Sequence, residues 1–387
     1  MTTRILLVSE LFPPAIGGSA ALFGNIYGRL RDIPVTVLTD PGPSGGPAPP
    51  VFDSARQWVG ISGGLRGVSS GAELAQVWSV SRAVRRVAAG QRPSIVHTAR
   101  PLPEGLAALA GCAFPPSGLQ YATWVHGEDL AAALTSREHG WLARQVCRRA
   151  ARVFCNSRFT ADLVSSVGTA PSRISVVYPG VDIERFHPAV DRGLRAVLAP
   201  AGPMLLSVGR LQRRKGHDLA IQAVGRIAAS FPGLRYVIAG DGTERPRLEE
   251  LVRSLGVAEQ VVFLGEVEDT RLPLLYAACD VFLMPTRRDG ADVEGFGIVY
   301  LEAAASGRPS IGGRNGGVPE AVADGQSGML VSGEDPVELA TTLEDLLRSD
   351  TLRQRLGAEG RRRVAETFTW ARAAERVQEI HEEMTAG

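Results

Sequence analysis

Short apolar runs alternate with stretches of helical periodicity from one end of the chain to the other, and no other feature restricts the fold as much. Runs read as strands lie at Ile5 to Ser9, Val35 to Thr39, Ile95 to Thr98, Gln120 to Val125, Val153 to Asn156 and Ile174 to Val177. They recur at Met204 to Val208, Leu234 to Ala239, Val261 to Leu264, Val281 to Met284 and Pro309 to Ile311. Ala20 to Leu30, Leu74 to Ala88, Trp141 to Ala150 and Phe296 to Ala305 read as helices. Strands of this kind need cover on both faces, which βαβ units with a parallel sheet supply. The pattern predicts an α/β fold with two doubly wound parallel sheets.

The length of 387 residues supports the same count, since a domain takes about 150 residues on average. Pro179-Gly180, Pro188, Pro200 and Gly202-Pro203 interrupt any regular pattern, so the domains are expected at 1–190 and 200–367. A last amphipathic helix over 368–387 aligns Trp370, Ala374, Val377 and His381 on one face. Residues 40–67 are rich in Gly and Pro and read as a long surface loop. Residues 1–190 carry 18 Arg and 12 acids, a net of +6, and the remainder has a net of −5. Opposite signs suit two domains that face one another across a cleft.

Several functional classes drop out. A net charge of +1 speaks against general nucleic-acid binding. No run approaches the ~18 apolar residues of a membrane span. Met1 passes through Arg4 directly into Ile5-Leu6-Leu7-Val8 without the pattern of a secretory signal, so a cytoplasmic location is expected. Cys112, Cys147, Cys155 and Cys279 match no zinc or redox spacing and read as small buried hydrophobes. Gly240-Asp241-Gly242-Thr243-Glu244-Arg245 lacks the third glycine of a dinucleotide fingerprint, and no P-loop is present.

Of 42 basic residues, Lys215 is the one lysine. A compact ammonium with three rotatable donors suits a tight phosphate site where a broad guanidinium does not. Lys215 lies in Gly209-Arg210-Leu211-Gln212-Arg213-Arg214-Lys215-Gly216, just past a predicted strand, where an open α/β sheet places its ligands, so the cluster fits a phosphate site or a solvated basic loop. Other polar sets occupy similar positions. Gly17-Gly18-Ser19 fits either a close backbone approach to an anion or a turn with Ser19 as helix cap. His126, followed by Gly127-Glu128-Asp129, fits a catalytic or a structural histidine. Glu294 precedes Gly295-Phe296-Gly297-Ile298, and Glu302 stands among Val299, Leu301, Ala303 and Ala304, where it needs a hydrogen-bond partner. If the segment is helical throughout, the two carboxylates share a side about 12 Å apart.

Together these residues resemble retaining glycosyltransferases of family 4, with the GT-B fold of two Rossmann-like domains. Glu294 and Glu302 match the family's E-x7-E pattern. Gly17-Gly18, His126, Asn156-Ser157, Pro179-Gly180-Val181-Asp182, Ser207 to Arg210, Lys215-Gly216, Gly240 to Gly242, Leu275 to Pro285 and Pro319-Glu320 follow in the same order. The resemblance implies that Arg210 and Lys215 bind the diphosphate of a UDP- or GDP-linked sugar and that Glu302 binds its ribose. It implies that Glu294, with the backbone of Gly295, Phe296, Gly297 and Ile298, holds the donor sugar beside Gly209, and that His126 lies near the reacting face. Gly17 and Gly18 would approach from the N-terminal, acceptor-binding domain, onto which the last helix would cross back. The charged segment Arg287 to Val293 departs from the short serine-rich link expected in the family.

The reading is thus a hexosyltransferase acting on a small-molecule, glycan or lipid-linked hydroxyl acceptor, with no cofactor and no metal, since no compact Asp-x-Asp is present. A nucleotide-sugar epimerase or hydrolase of the same fold is the main alternative. A pyridoxal-dependent phosphorylase would have only Lys215 for its Schiff base, and a non-catalytic sugar-binding protein leaves the paired acids and cations unexplained. Arg144, Arg148, Arg149 and Arg152 recur at helical spacing, as a solvated face or as a stripe for peripheral contact with anionic lipid.

Overall fold

The computed structural model describes residues 4–13, 17–39, 71–112, 119–189 and 191–386. The expected Gly/Pro loop over 40–67 lies outside them. The chain divides into two compact units, Met1–Pro179 with Trp370–Gly387, and Gly180–Thr369.

The first unit holds strands β1 (Ile5–Val8), β2 (Val35–Leu38), β3 (Ile95–Thr98), β4 (Gln120–Val125), β5 (Arg152–Cys155) and β6 (Ile174–Val176) in the order β2-β1-β3-β4-β5-β6. Every neighbouring pair is parallel. Apolar runs such as Ile5-Leu6-Leu7-Val8 are fully buried because helices cover both faces. Chain order reverses between β1 and β3, so the loops that follow these strands open at a switch point. The helix Trp370–Ala386 returns to this unit and buries Trp370, Ala374, Val377 and His381, the face expected from their spacing. His381 meets the ring of His97 at 5.9 Å, and Tyr27 bonds to His97 Nδ1 at 2.7 Å.

The second unit repeats the architecture. Strands β7 (Met204–Val208), β8 (Arg235–Ala239), β9 (Val261–Gly265), β10 (Val281–Met284), β11 (Ser310–Gly313) and β12 (Gly328–Val331) order as β12-β11-β10-β7-β8-β9. All five pairs are parallel. The reversal falls between β7 and β10. The loops after those two strands therefore flank one crevice, and they carry Arg210, Lys215 and Glu294.

Four differences from the sequence reading have physical causes. Strand β12 was not expected, because Gly328 and the polar turn before it hide a three-residue apolar run at a sheet edge. The helix read from Phe296 begins at Ile298, so Glu294 is not on it and the two-turn spacing to Glu302 does not apply. Arg152 belongs to β5, not to the helix Arg137–Arg149, and pairs with Glu383 at 3.3 Å while Arg148 donates to Gly168 O at 3.2 Å. The basic stripe is thus not one open helix face. Finally, the changeover falls at Pro179–Gly180, ahead of residue 190, because Val181 bridges Thr369, Arg185 pairs with Asp269 at 2.7 Å and Phe186 packs edge-on against Tyr276. The four cysteines form no disulfide, and Cys147, Cys155 and Cys279 are buried as expected.

Candidate active site

In the second unit the loop after β7 turns back through Arg213–Lys215 and opens the helix His217–Ile227 at Gly216. Gly216 has φ +74°, and a Cβ there would stand 2.1 Å from Pro285 O. Only glycine lets this loop lie against the end of β10. That approach brings the charged side chains of both loops together. Glu294 Oε2 accepts from Arg214 Nη1 at 2.6 Å and from Lys215 Nζ at 2.6 Å. Burial pushes the Glu294 carboxyl up, but the two cations pull it further down, to about 2 against an ordinary 4.5. It is an anion at any physiological pH.

The segment that carries Glu294 is fixed from several sides. Gly317 N–H donates to Glu294 O at 2.9 Å, and Asn315 Nδ2 donates to Thr286 O at 2.6 Å. Phe296 is buried against Phe368. Gly297, at φ +94°, turns the chain into the helix Ile298–Ala305, and Tyr300 ties that helix to β10 through its hydroxyl on Met284 O at 2.6 Å. The first N–H groups of such a helix have no intrahelical acceptor and carry partial positive charge, so this end favours an anionic or hydroxyl-rich ligand.

Glu302 stands apart from that cluster. Its partner is Tyr276, whose hydroxyl donates to Glu302 Oε2 at 2.7 Å, which satisfies the carboxylate among apolar neighbours. Burial raises its carboxyl to about 7, with Tyr276 and Arg185 opposing. Near neutrality it exists in both forms and can donate or accept. Arg210 is exposed and has no ion-pair partner among the described residues. Gly209 follows β7, its N–H already donated to Ala239 O at 2.9 Å.

The remaining candidates belong to the first unit. Helix Gly18–Tyr27 is capped by Gly17 and not by Ser19, which lies inside it. His126 follows β4, with its backbone N–H on Asp129 Oδ1 at 3.0 Å and its carbonyl accepting from Asn156 Nδ2 at 3.0 Å. Its Nε2 lies 3.0 Å from Ala99 O. A carbonyl can only accept, so Nε2 is the donor in this contact. Trp124 stacks on this ring and Phe23 meets it edge-on.

Sequence reasoning missed the roles of Arg214, Asp292 and Tyr276. Arg214 Nη1 is on Glu294 and its Nε pairs with Asp292 at 2.9 Å. One signal was available: a charged segment following β10 opposite a basic loop following β7 at a switch point. Among the described residues no group of three or more His, Cys, Asp or Glu is placed to hold a metal ion.

Residues 196–363 match the family Glycosyl transferases group 1, and residues 19–185 match Glycosyltransferase Family 4. The chain is 32% identical over 385 residues to a GDP-mannose-dependent alpha-(1-6)-phosphatidylinositol monomannoside mannosyltransferase of Mycobacterium tuberculosis, covering 95% of each chain. The chain belongs to glycosyltransferase family 4. This family 4 glycosyltransferase is also 38% identical over 243 residues to a D-inositol 3-phosphate glycosyltransferase of Geodermatophilus obscurus, over 60% of this chain and 52% of that protein. Sucrose-phosphate synthase from Thermosynechococcus elongatus superposes with a TM-score of 0.82 at 22% identity over 99% of each chain, which establishes the GT-B fold. No helix of the described residues in this glycosyltransferase is long and apolar enough to cross a membrane.

Proposed function

We propose that the enzyme transfers a mannose-type hexosyl group from a GDP-linked donor to a hydroxyl of an inositol-containing acceptor, with retention at the anomeric carbon and without a metal. The observation that carries this reading is the near-complete coverage of the mycobacterial mannosyltransferase, whose name gives both a GDP-mannose donor and an alpha linkage. The second relative also takes an inositol-bearing substrate.

Arg210 and Lys215 hold the diphosphate, Arg210 as an exposed fork and Lys215 as a point charge. Glu294 and the backbone of Gly295 to Ile298 receive the sugar hydroxyls, and Glu302 receives the ribose. As the bond from the anomeric carbon to the diphosphate oxygen breaks, negative charge grows on that oxygen and the fixed cations stabilise it. The acceptor hydroxyl forms the new bond on the same face, and its proton passes to the departing diphosphate oxygen. No protein base opposite the leaving group is then needed.

The test is turnover of GDP-mannose and of UDP-glucose with and without an inositol-phosphate acceptor, in EDTA, with the product followed by proton NMR. An alpha anomeric signal that requires both GDP-mannose and acceptor is expected. A beta coupling would overturn retention, and loss of turnover on chelation would overturn metal independence. Donor consumed equally well without acceptor would indicate a hydrolase or epimerase.

A further inference from the structure

We propose that Arg214, anchored by Asp292, is a positioning residue that keeps Glu294 in place when Lys215 turns to the donor diphosphate. This rests on the reading of Lys215 as a diphosphate ligand.

Two cations share a single oxygen, Glu294 Oε2, at 2.6 Å each. They are not equivalent. Lys215 ends in an ammonium on a flexible stem, whereas the Arg214 guanidinium is a rigid fork held by a second ion pair, its Nε 2.9 Å from Asp292 Oδ1 without the alignment of a hydrogen bond. A diphosphate at Lys215 competes with Glu294 for the ammonium. Were Lys215 the only cation on Glu294, its turning away would leave a carboxylate that is 12% exposed unpaired beside a new anion. Arg214, 4% exposed, removes that conflict because Asp292 prevents the fork from following Lys215.

Asp292 can act as an anchor because its own segment is fixed. Asp289 and Asp292 exchange both backbone hydrogen bonds at 2.9 Å, closing a turn around Gly290. Arg287 donates its N–H to Arg214 O at 2.8 Å, and its side chain pairs with Asp218 at 2.9 Å. Arg213 lies 3.9 Å from Asp289. The charged residues between β10 and Glu294, which depart from a short serine-rich link, therefore form an arm ion-paired to the loop after β7 and to the first turn of the helix His217–Ile227.

The decisive variant is Asp292→Asn, because Asp292 is 43% exposed and the change is nearly isosteric. Arg214→Gln and Arg214→Lys accompany it, with GDP calorimetry and with turnover of whichever of GDP-mannose or UDP-glucose the enzyme uses. In Asp292→Asn, kcat should fall by about fivefold or more while the Kd for GDP stays within about twofold, since the lost contact orients the sugar-binding carboxylate and not the diphosphate. Arg214→Gln should show a larger fall in kcat at the same GDP affinity, and Arg214→Lys should recover part of the lost kcat. A purely structural arm would lower stability without that split between kcat and GDP affinity and without recovery by Arg214→Lys. Unchanged kcat and KM in Asp292→Asn would overturn the proposal even if Arg214→Gln does not fold. Lys215→Ala with unaltered GDP affinity would instead overturn the diphosphate reading and the proposal with it, so the two failures are distinguishable.

Discussion

Lys215 stands where two cations converge on one carboxylate oxygen, and this explains why a chain with 42 basic residues keeps its single lysine there. Arg214 already places a planar fork on Glu294 Oε2, and the compact Lys215 ammonium reaches the same oxygen beside it. If Lys215 also binds the diphosphate, Lys215→Ala should weaken GDP binding by about 1.5–3 kcal/mol, the scale of a charge-assisted hydrogen bond. Calorimetry measures this directly, and an unchanged Kd would remove the assignment. Lys215→Arg should not restore wild-type affinity, which separates geometry from charge.

Glu302 gives a prediction with a definite sign. Its folded-state carboxyl is raised to about 7 from an ordinary 4.5, chiefly by burial. Between those values the native protein holds a proton that the unfolded chain has released, so this group makes stability fall as pH rises from about 4.5 to about 7. The full effect is on the order of 3 kcal/mol. Glu302→Gln mimics the neutral form and still accepts from the Tyr276 hydroxyl. Relative to wild type, the variant should match at acid pH, gain stability across that window and level off above it. Denaturant midpoints at a series of pH values check this; a difference independent of pH would show that burial does not control the group.

Among the elements, legibility tracked how local the determining physics is. Strands β1 to β11 were readable because each is an apolar run bounded by turn residues, a property carried by a few consecutive side chains. Strand β12 was not, since Gly328-Met329-Leu330-Val331 is pinned by pairing with β11 more than by its own pattern. The strand-end candidates were readable because a doubly wound sheet sends its ligands to the strand ends. Their partners were not: Arg214 and Glu294 are 80 positions apart, and Tyr276 and Glu302 are 26 apart. The start of the helix Ile298–Ala305 shows the same limit, because it is set by one backbone angle at Gly297. A Cβ at Gly297 would also stand 2.6 Å from the Tyr300 ring. Gly297→Ala should therefore cost about 1–3 kcal/mol through a left-handed non-glycine residue, and more if Tyr300 is pushed from Met284 O. Equilibrium denaturation tests it. A variant as stable as wild type would show that the turn into the helix relaxes freely.

At the scale of the whole molecule the chain is discontinuous in one unit and continuous in the other. The first unit needs both Met1–Pro179 and Trp370–Gly387, whereas Gly180–Thr369 closes on itself. The second unit has its own six-stranded sheet and core, and Arg210, Arg214, Lys215, Glu294 and Glu302 all lie within it. Removing Trp370–Gly387 uncovers the side chains that pack on Trp370, Val377, Ile380 and His381, all buried in the intact chain. Losing even one such large apolar side chain costs about 2–5 kcal/mol, and a domain has only about 5–15 kcal/mol in all. A chain ending at Thr369 should therefore lose the first unit's cooperative unfolding transition and all sugar transfer. Residues 180–369 expressed alone should fold and bind GDP within about tenfold of the full chain, a difference of at most about 1.4 kcal/mol. Calorimetry with GDP on that fragment decides the matter. If the fragment folds but does not bind GDP, nucleotide recognition depends on the first unit, and the assignment of the diphosphate and ribose to second-unit side chains alone is wrong.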